Sequence, residues 1–225
     1  MGISTVGVYH GPKNVSGEKV AAALDGLRIP FRLIAGREIA AGQLEDFGGI
    51  IFPGGHSIRL GPCALAKMRE FVSAGGGFLG ICAGAQFGAA LGLIDVRHRV
   101  LRGSGIFDLR IIARHPVTAC YEVAGPHRPV RRWTYSNRGR VRMRYVNGGF
   151  YEAGRGARVL VSFDEEGLMG AIVAGCFGRG RVVLVTPHPE STPRPEGNTG
   201  NDSDKSQDPM NLFGNAVRYI ARGRQ

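Results

Sequence analysis

Cys82 stands in Gly80-Ile81-Cys82-Ala83-Gly84-Ala85-Gln86, with a glycine two places away on either side of a reactive side chain. An apolar run from Gly77 to Ile81 leads into it, and an Ala-rich segment of helical spacing leads out. Glycines in that frame fit a sharp strand-to-helix elbow. Neighbouring backbone there comes too close for a larger Cβ, and the central side chain is lifted out at the edge of a sheet. A thiol so placed also sits at a helix N-terminus, whose dipole favours the thiolate. Free cysteine is most often a small buried residue. A packed core strand has no use for glycines on both sides, so the frame points to a nucleophile.

A cysteine nucleophile works with a base. The histidines are His10, His56, His98, His115, His127 and His188. The last follows Arg181-Val182-Val183-Leu184-Val185, a β-branched run that reads as a buried parallel strand. Thr186-Pro187-His188-Pro189-Glu190 then occupies the carboxyl end of that strand, the edge at which open parallel sheets gather ligands. In an extended His188-Pro189-Glu190 the two side chains point the same way. Glu190 is therefore placed to orient and charge-stabilise the imidazole, completing a nucleophile, base and acid. A third piece is Gly49-Ile50-Ile51-Phe52-Pro53-Gly54-Gly55, an apolar strand that ends in unobstructed backbone. The N–H groups at Gly54 and Gly55, with that of Ala83 after the cysteine, are candidates for an oxyanion hole.

These residues need a scaffold that brings strand ends together. Val6 to Tyr9, Phe31 to Ile34 and Ile50 to Phe52 read as strands. Glu18 to Leu27, with Ser16 as N-cap, and Pro62 to Ala74 have helical spacing. Strands alternating with helices predict a doubly wound parallel sheet. From Val96 to Phe163 the pattern changes to short strands at Gly105 to Ile112, Val141 to Tyr145 and Val159 to Phe163, a β-rich insertion on the sheet edge. Leu168 to Cys176 and Arg181 to Val185 read as a hairpin, and Met210 to Ala221 as an amphipathic closing helix. The polar stretch 191–209 is expected to be a mobile loop, which could serve as a lid, and residues 1–225 one domain. In the Asn147-Gly148-Gly149 segment a hairpin turn is the expected role, with lining of the pocket by Asn147 as the alternative.

With Cys82, His188, Glu190 and Pro53-Gly54-Gly55 set out, the chain resembles the class I glutamine amidotransferase-like superfamily. Gly80 to Gln86 is similar to that family's Gly-x-Cys-x-Gly-x-Gln, in which the glutamine, here Gln86, helps to hold the substrate. Within it the chain is most similar to the biotin–protein ligase N-terminal-like group. The matching segments are the Pro-Gly-Gly loop, the Gly-x-Cys-Ala-Gly-Ala elbow, Arg102 to Gly105, Tyr145 to Gly148 and the strand that runs to His188-Pro189-Glu190. The resemblance implies a flavodoxin-like fold and a Cys82–His188–Glu190 triad. No ligase catalytic motif and no adenylate- or biotin-binding motif is evident, so biotin transfer is not expected.

Three functions of different class follow. One is a cysteine hydrolase of a small amide, glutamine among the candidates, without cofactor or metal. Another is a non-catalytic binding or regulatory subunit for a synthetase or ligase partner. The third is redox chemistry at an exposed thiolate. Relatives of that third kind carry an acid in the first strand-to-helix turn, where this chain offers Tyr9 and His10. The net charge of +11 and pI near 10.2 come mainly from arginine, densest from Arg128 to Arg144. No aromatic-interleaved RNA motif or helix-turn-helix accompanies it, and nucleic acid is not the expected partner. Four widely spaced cysteines without Cys-x-x-Cys suggest neither zinc nor disulfides, and no apolar run approaches a membrane span. With no signal-peptide layout at the start, a cytoplasmic protein is expected.

Overall fold

In chain order the computed structural model has β1 (Val6–Tyr9), α1 (Gly17–Gly26), β2 (Phe31–Ile34), α2 (Gly36–Ala40), β3 (Gly49–Phe52), α3 (Pro62–Ser73) and β4 (Gly77–Ile81). There follow α4 (Ala83–Ala90), β5 (Val96–Arg99), β6 (Ser104–Ile111), β7 (Arg140–Val146), β8 (Phe150–Ala153) and β9 (Arg158–Ser162). The chain closes with β10 (Gly170–Phe177), β11 (Gly180–Val185) and α5 (Pro209–Ile220). The structure describes residues 4–11, 17–124, 139–193 and 208–222. Ser16, His127, the arginines at 128–138 and most of the 191–209 stretch lie outside them.

All eleven strands join one sheet, whose main path is β2-β1-β3-β4-β11-β10-β9-β6-β7. The first five are parallel in the flavodoxin-like order. From β11 onward every neighbour is antiparallel, and β5 and β8 pair beside β10. The expected β-rich insertion is this antiparallel wing, continuous with the parallel half. Helices cover both faces of the parallel half. Val6, Val8, Leu79, Ile81, Val183 and Val185 point into one core with α1 and α5. Their alternates Ile50, Phe52, Phe78, Val182 and Leu184 point into a second core with α3 and α4. Strands buried on both faces read as unbroken apolar runs, which is why the sequence marks them so plainly.

The wing curls. His188 N–H donates to Arg144 O at 2.7 Å, an isolated antiparallel bridge that returns β7 to the segment just beyond β11. Thr192 seals it, its Oγ1 accepting from Arg144 N–H at 3.0 Å and donating to His188 O at 2.7 Å. Inside the curl, Phe107, Tyr145 and Phe163 pack edge to face with centroids 5.0 to 6.0 Å apart. The outermost strand of the wing is thereby delivered to the carboxyl end of the parallel half.

Two readings differ from the structure. His188-Pro189-Glu190 is not extended; Pro189 opens a 3-10 turn, Pro189–Ser191, a position that suits its fixed φ. The elements α2, β5 and β8 lie in segments to which the sequence assigns no element of their own, β5 and β8 within the expected β-rich stretch. They are short, and Val96–Arg99 and Phe150–Ala153 bury little along their length.

Candidate functional site

Cys82 links β4 to α4 at φ +50° and ψ −109°, a conformation unusual for a residue with a side chain. Its N–H donates to Val185 O at 2.8 Å, which ties the turn to β11. The flanking glycines have a steric reason. A Cβ at Gly80 would run into the backbone of Gly84, and one at Gly84 would run into the Phe52 carbonyl of β3. The close approach expected of the Gly-x-Cys-x-Gly frame is therefore present on both sides of the thiol. Cys82 is partly exposed, and its Sγ is 3.8 Å from the Val146 carbonyl, delivered by the curled wing.

His188 and Glu190 lie on the next strand end. His188 Nδ1 is 2.9 Å from Glu190 Oε1, and the two side chains are 15% and 4% exposed. The 3-10 turn thus achieves what the extended reading expected. Burial alone would lower the imidazole pKa. Hydrogen bonds to Cys82 and Glu190, and the negative charge of both, override it and raise His188 to about 9. At neutral pH the ring is an imidazolium held between a sulfur and a carboxylate. Glu190 Oε2 is buried without a hydrogen-bond partner among the described residues.

Gly54 forms the facing wall. A Cβ there would lie 2.6 Å from His188 Cε1 and 3.2 Å from Cys82 Cβ, so only a glycine lets the loop approach both. Gly55 follows at φ +124°, again in glycine territory. Ala83 is the first residue of α4, whose leading N–H groups have no partner within the helix and receive no side-chain cap from Cys82. Gln86, one turn on, donates from Nε2 to Gly148 O at 3.4 Å. Asn147 sits in the β7–β8 turn at φ +47°. It exchanges two hydrogen bonds with Gly103, through its N–H at 2.9 Å and its Oδ1 at 2.8 Å. The segment is a turn as expected but not that of a hairpin, since β7 pairs with β6 while β8 pairs with β5 and β10, and it borders the site through its backbone.

The other described histidines stand apart from Cys82 in role. His10 and His56 are exposed, and His115 caps a 3-10 turn by accepting from Val117 N–H. His98 Nε2 lies 3.1 Å from Gly148 O, on the outer side of the β7–β8 turn. Residue-type reasoning did not find Val146 O and Gly148 O. They are backbone groups, placed by a strand pairing between residues far apart in sequence. A separate open groove of about 460 Å³ lies at the ends of β1 and β2, beside Tyr9, Arg37, Arg59 and Leu60; no candidate site residue lines it. Among the described residues no three His, Cys, Asp or Glu side chains gather as metal ligands do, and no described helix is long and apolar enough to cross a membrane.

Residues 47–104, from the end of the β2–β3 connection through β3, α3, Cys82 and β5, match the family described as the N-terminal part of biotin–protein ligase. No curated protein matches the sequence. Solved structures match over nearly the whole chain at low identity. PurLQS from Thermotoga maritima is 17% identical with a TM-score of 0.66, covering 97% of this chain and 100% of that one. A candidate component of GMP synthase from Thermoplasma acidophilum is 12% identical with a TM-score of 0.63, covering 98% and 96%. A glutamine amidotransferase from Thermotoga maritima is 13% identical with a TM-score of 0.56, covering 99% and 100%. The chain has the fold of the class I glutamine amidotransferases, and its segment 47–104, which contains Cys82, is similar to the N-terminal part of biotin–protein ligases.

Proposed function

We propose that the chain is a cysteine amidase of the glutamine amidotransferase type, acting on a small primary amide with L-glutamine as first candidate. The observation that carries this reading is the convergence of Cys82, at a positive-φ strand-to-helix turn, with a buried His188–Glu190 pair. In the reaction, the Cys82 thiolate attacks the amide carbon and the electron pair moves to the carbonyl oxygen. The N–H groups of Gly55 and Ala83, with Gly54 keeping the loop close, hold that oxyanion. The His188 imidazolium gives its proton to the departing nitrogen, and ammonia leaves a thioester on Sγ. Neutral His188 then takes a proton from water, the hydroxide attacks the thioester and expels the thiolate, and the carboxylic acid leaves, giving its proton to ammonia or solvent, with thiolate and imidazolium restored. Glu190 holds the ring in register and stabilises its charge. Gln86 braces the turn that borders the pocket.

The fold likeness to a GMP synthase component and the biotin–protein ligase match favour a synthase or ligase partner that consumes the ammonia. The continuous sheet supports reading the chain as one domain.

The test measures ammonia release from L-glutamine by wild type and Cys82→Ala. A loss of roughly 10⁴-fold or more, at unchanged folding, is expected of a nucleophile. Alkylation of Cys82 by iodoacetamide at neutral pH, slower in His188→Ala, reports the thiolate–imidazolium pair without a substrate. Equal alkylation in the two proteins would sink the mechanism. Normal alkylation with no ammonia from any amide, and a partner captured in pull-downs, would favour the non-catalytic binding role.

A further inference from the structure

Among the described residues, the β7–β8 turn is a wall of the site that the parallel sheet does not build, and something must hold it beside the thiol. Three of its groups face the site or its bracing residue. Val146 O receives the Cys82 Sγ contact, Gly148 O accepts from Gln86, and the Gly148 backbone presses on Thr186 just before His188. The turn is free of regular sheet pairing and runs through two positive-φ residues, Asn147 at +47° and Gly149 at +75°. A segment of that kind has many alternatives open to it.

Tyr145 removes them. Its side chain is fully buried inside the wing, yet its hydroxyl makes two strong bonds to two different loops. It donates to Leu101 O at 2.6 Å, in the β5–β6 connection, and accepts from Gly149 N–H at 2.7 Å, in the turn. The Asn147–Gly103 exchange clamps the same two loops a few residues away. Burial raises the phenol above its ordinary pKa against the opposing Gly149 amide, so it stays protonated and can donate and accept together. A buried amide and a part-buried carbonyl thus meet at one hydroxyl.

We infer that Tyr145 is a positioning residue of the Cys82 site, its hydroxyl fixing the 146–149 turn whose carbonyls border the thiol and Gln86. This rests on the amidase reading for its catalytic consequence, though not for its structural one. Tyr145→Phe is the clean edit, because the ring keeps its packing against Phe107 and Phe163 and loses the oxygen alone.

The experiment compares wild type, Tyr145→Phe and Phe107→Leu, the last disturbing the same aromatic cluster with the hydroxyl intact. One readout is inactivation by the diazoketone analogue of L-glutamine. Its terminal carbon takes a proton from the His188 imidazolium and bonds to the Cys82 thiolate sulfur as dinitrogen leaves. Tyr145→Phe should raise the half-saturating concentration about tenfold, the effect of one lost positioning hydrogen bond, with a maximal rate within about threefold. Iodoacetamide, which needs no recognition by the turn, should label all three proteins at similar rates. The second readout is amide exchange at Gly149, expected to be about tenfold faster in Tyr145→Phe and unchanged in Phe107→Leu.

Unchanged Gly149 exchange in Tyr145→Phe overturns the inference, as does an equal fall in both labelling reactions, which would mean a general loss of structure. If the wild type resists the diazoketone but takes iodoacetamide, glutamine recognition fails on its own, and Gly149 exchange still decides the role of Tyr145.

Discussion

The parallel half and the antiparallel wing each supply part of one site, by different physical means. The parallel half supplies reactive groups through tight backbone contact. Gly80, Gly84 and Gly54 let β4, α4, β3 and the loop after β3 close on Cys82 and His188 with no room for a single added carbon. Among the described residues the wing supplies no candidate reactive side chain. It supplies carbonyls on a turn, held by side-chain hydrogen bonds over open loops and by a curl that ends at the Arg144–His188 bridge. The candidate groups stand on strand ends of the parallel half, and the turn that borders them is pinned by side-chain hydrogen bonds from the wing. A scaffold of this type can keep its reaction and change its substrate by editing the wing.

Glycine substitution tests that division most severely. Gly84→Ala drives a Cβ into the Phe52 carbonyl, which belongs to a central strand and cannot move aside. A cost of about 3 kcal/mol is expected, at the upper end of overpacking penalties. In the wing, Gly156 has φ +74° and open space around its Cα, so Gly156→Ala meets conformational strain alone, about 1 kcal/mol. Urea denaturation of the two variants measures the difference. Equal costs would mean that the Phe52 carbonyl yields to the added carbon.

The charge pair comes next. His188 is raised from 6.5 to about 9 by bonds that the unfolded chain lacks. A raised folded pKa means the native state holds the proton more tightly than the unfolded state. The stabilisation is therefore complete below pH about 6.5 and disappears as pH climbs through about 9, an upper limit of about 3 kcal/mol. Ring-proton NMR should show the His188 midpoint near 9 in wild type. In Glu190→Gln it should move downward without reaching the free value, since Cys82 remains beside the ring. The fall of stability between pH 6.5 and 9 should shrink in step. A midpoint unaffected by Glu190→Gln would mean that the carboxylate does not control the base.

How much of this could be seen in the sequence divides along the same line. The strand Val6–Tyr9 carries the expected bounds because burial on both faces leaves an unbroken apolar run, and the edge strand Phe31–Ile34 carries them although Arg32 and Leu33 are exposed. Cys82, His188 and Glu190 were legible from residue types at strand ends. The wing was legible as β-rich but not strand by strand. Val96–Arg99 is a polar edge ribbon with three of its four residues exposed, and its partner Phe150–Ala153 is as short. Above all, Val146 O reaches the thiol because β7 pairs with residue 188, a contact between distant segments that no local pattern encodes. Tyr145 reads locally as another inward residue of an alternating strand; its hydroxyl gains meaning once Leu101 and Gly149 are folded beside it.

The mildest test applies the same chemical edit to a neighbouring tyrosine. Tyr151, on β8, is as buried as Tyr145, but its hydroxyl finds no partner among the described residues. Burial accordingly pushes its pKa well above the ordinary phenol range. An unpaired buried hydroxyl costs the fold its hydration without return. Tyr151→Phe should therefore leave stability unchanged or raise it by up to about 1 kcal/mol in urea unfolding, with Gly149 exchange as in wild type. The two tyrosines differ by one atom's surroundings, and removing that atom should loosen the turn at 145 and leave it untouched at 151. A loss above about 1 kcal/mol at 151 would show its hydroxyl to be satisfied by an internal water, and the wing would then be held by more polar pinning than Tyr145 alone provides.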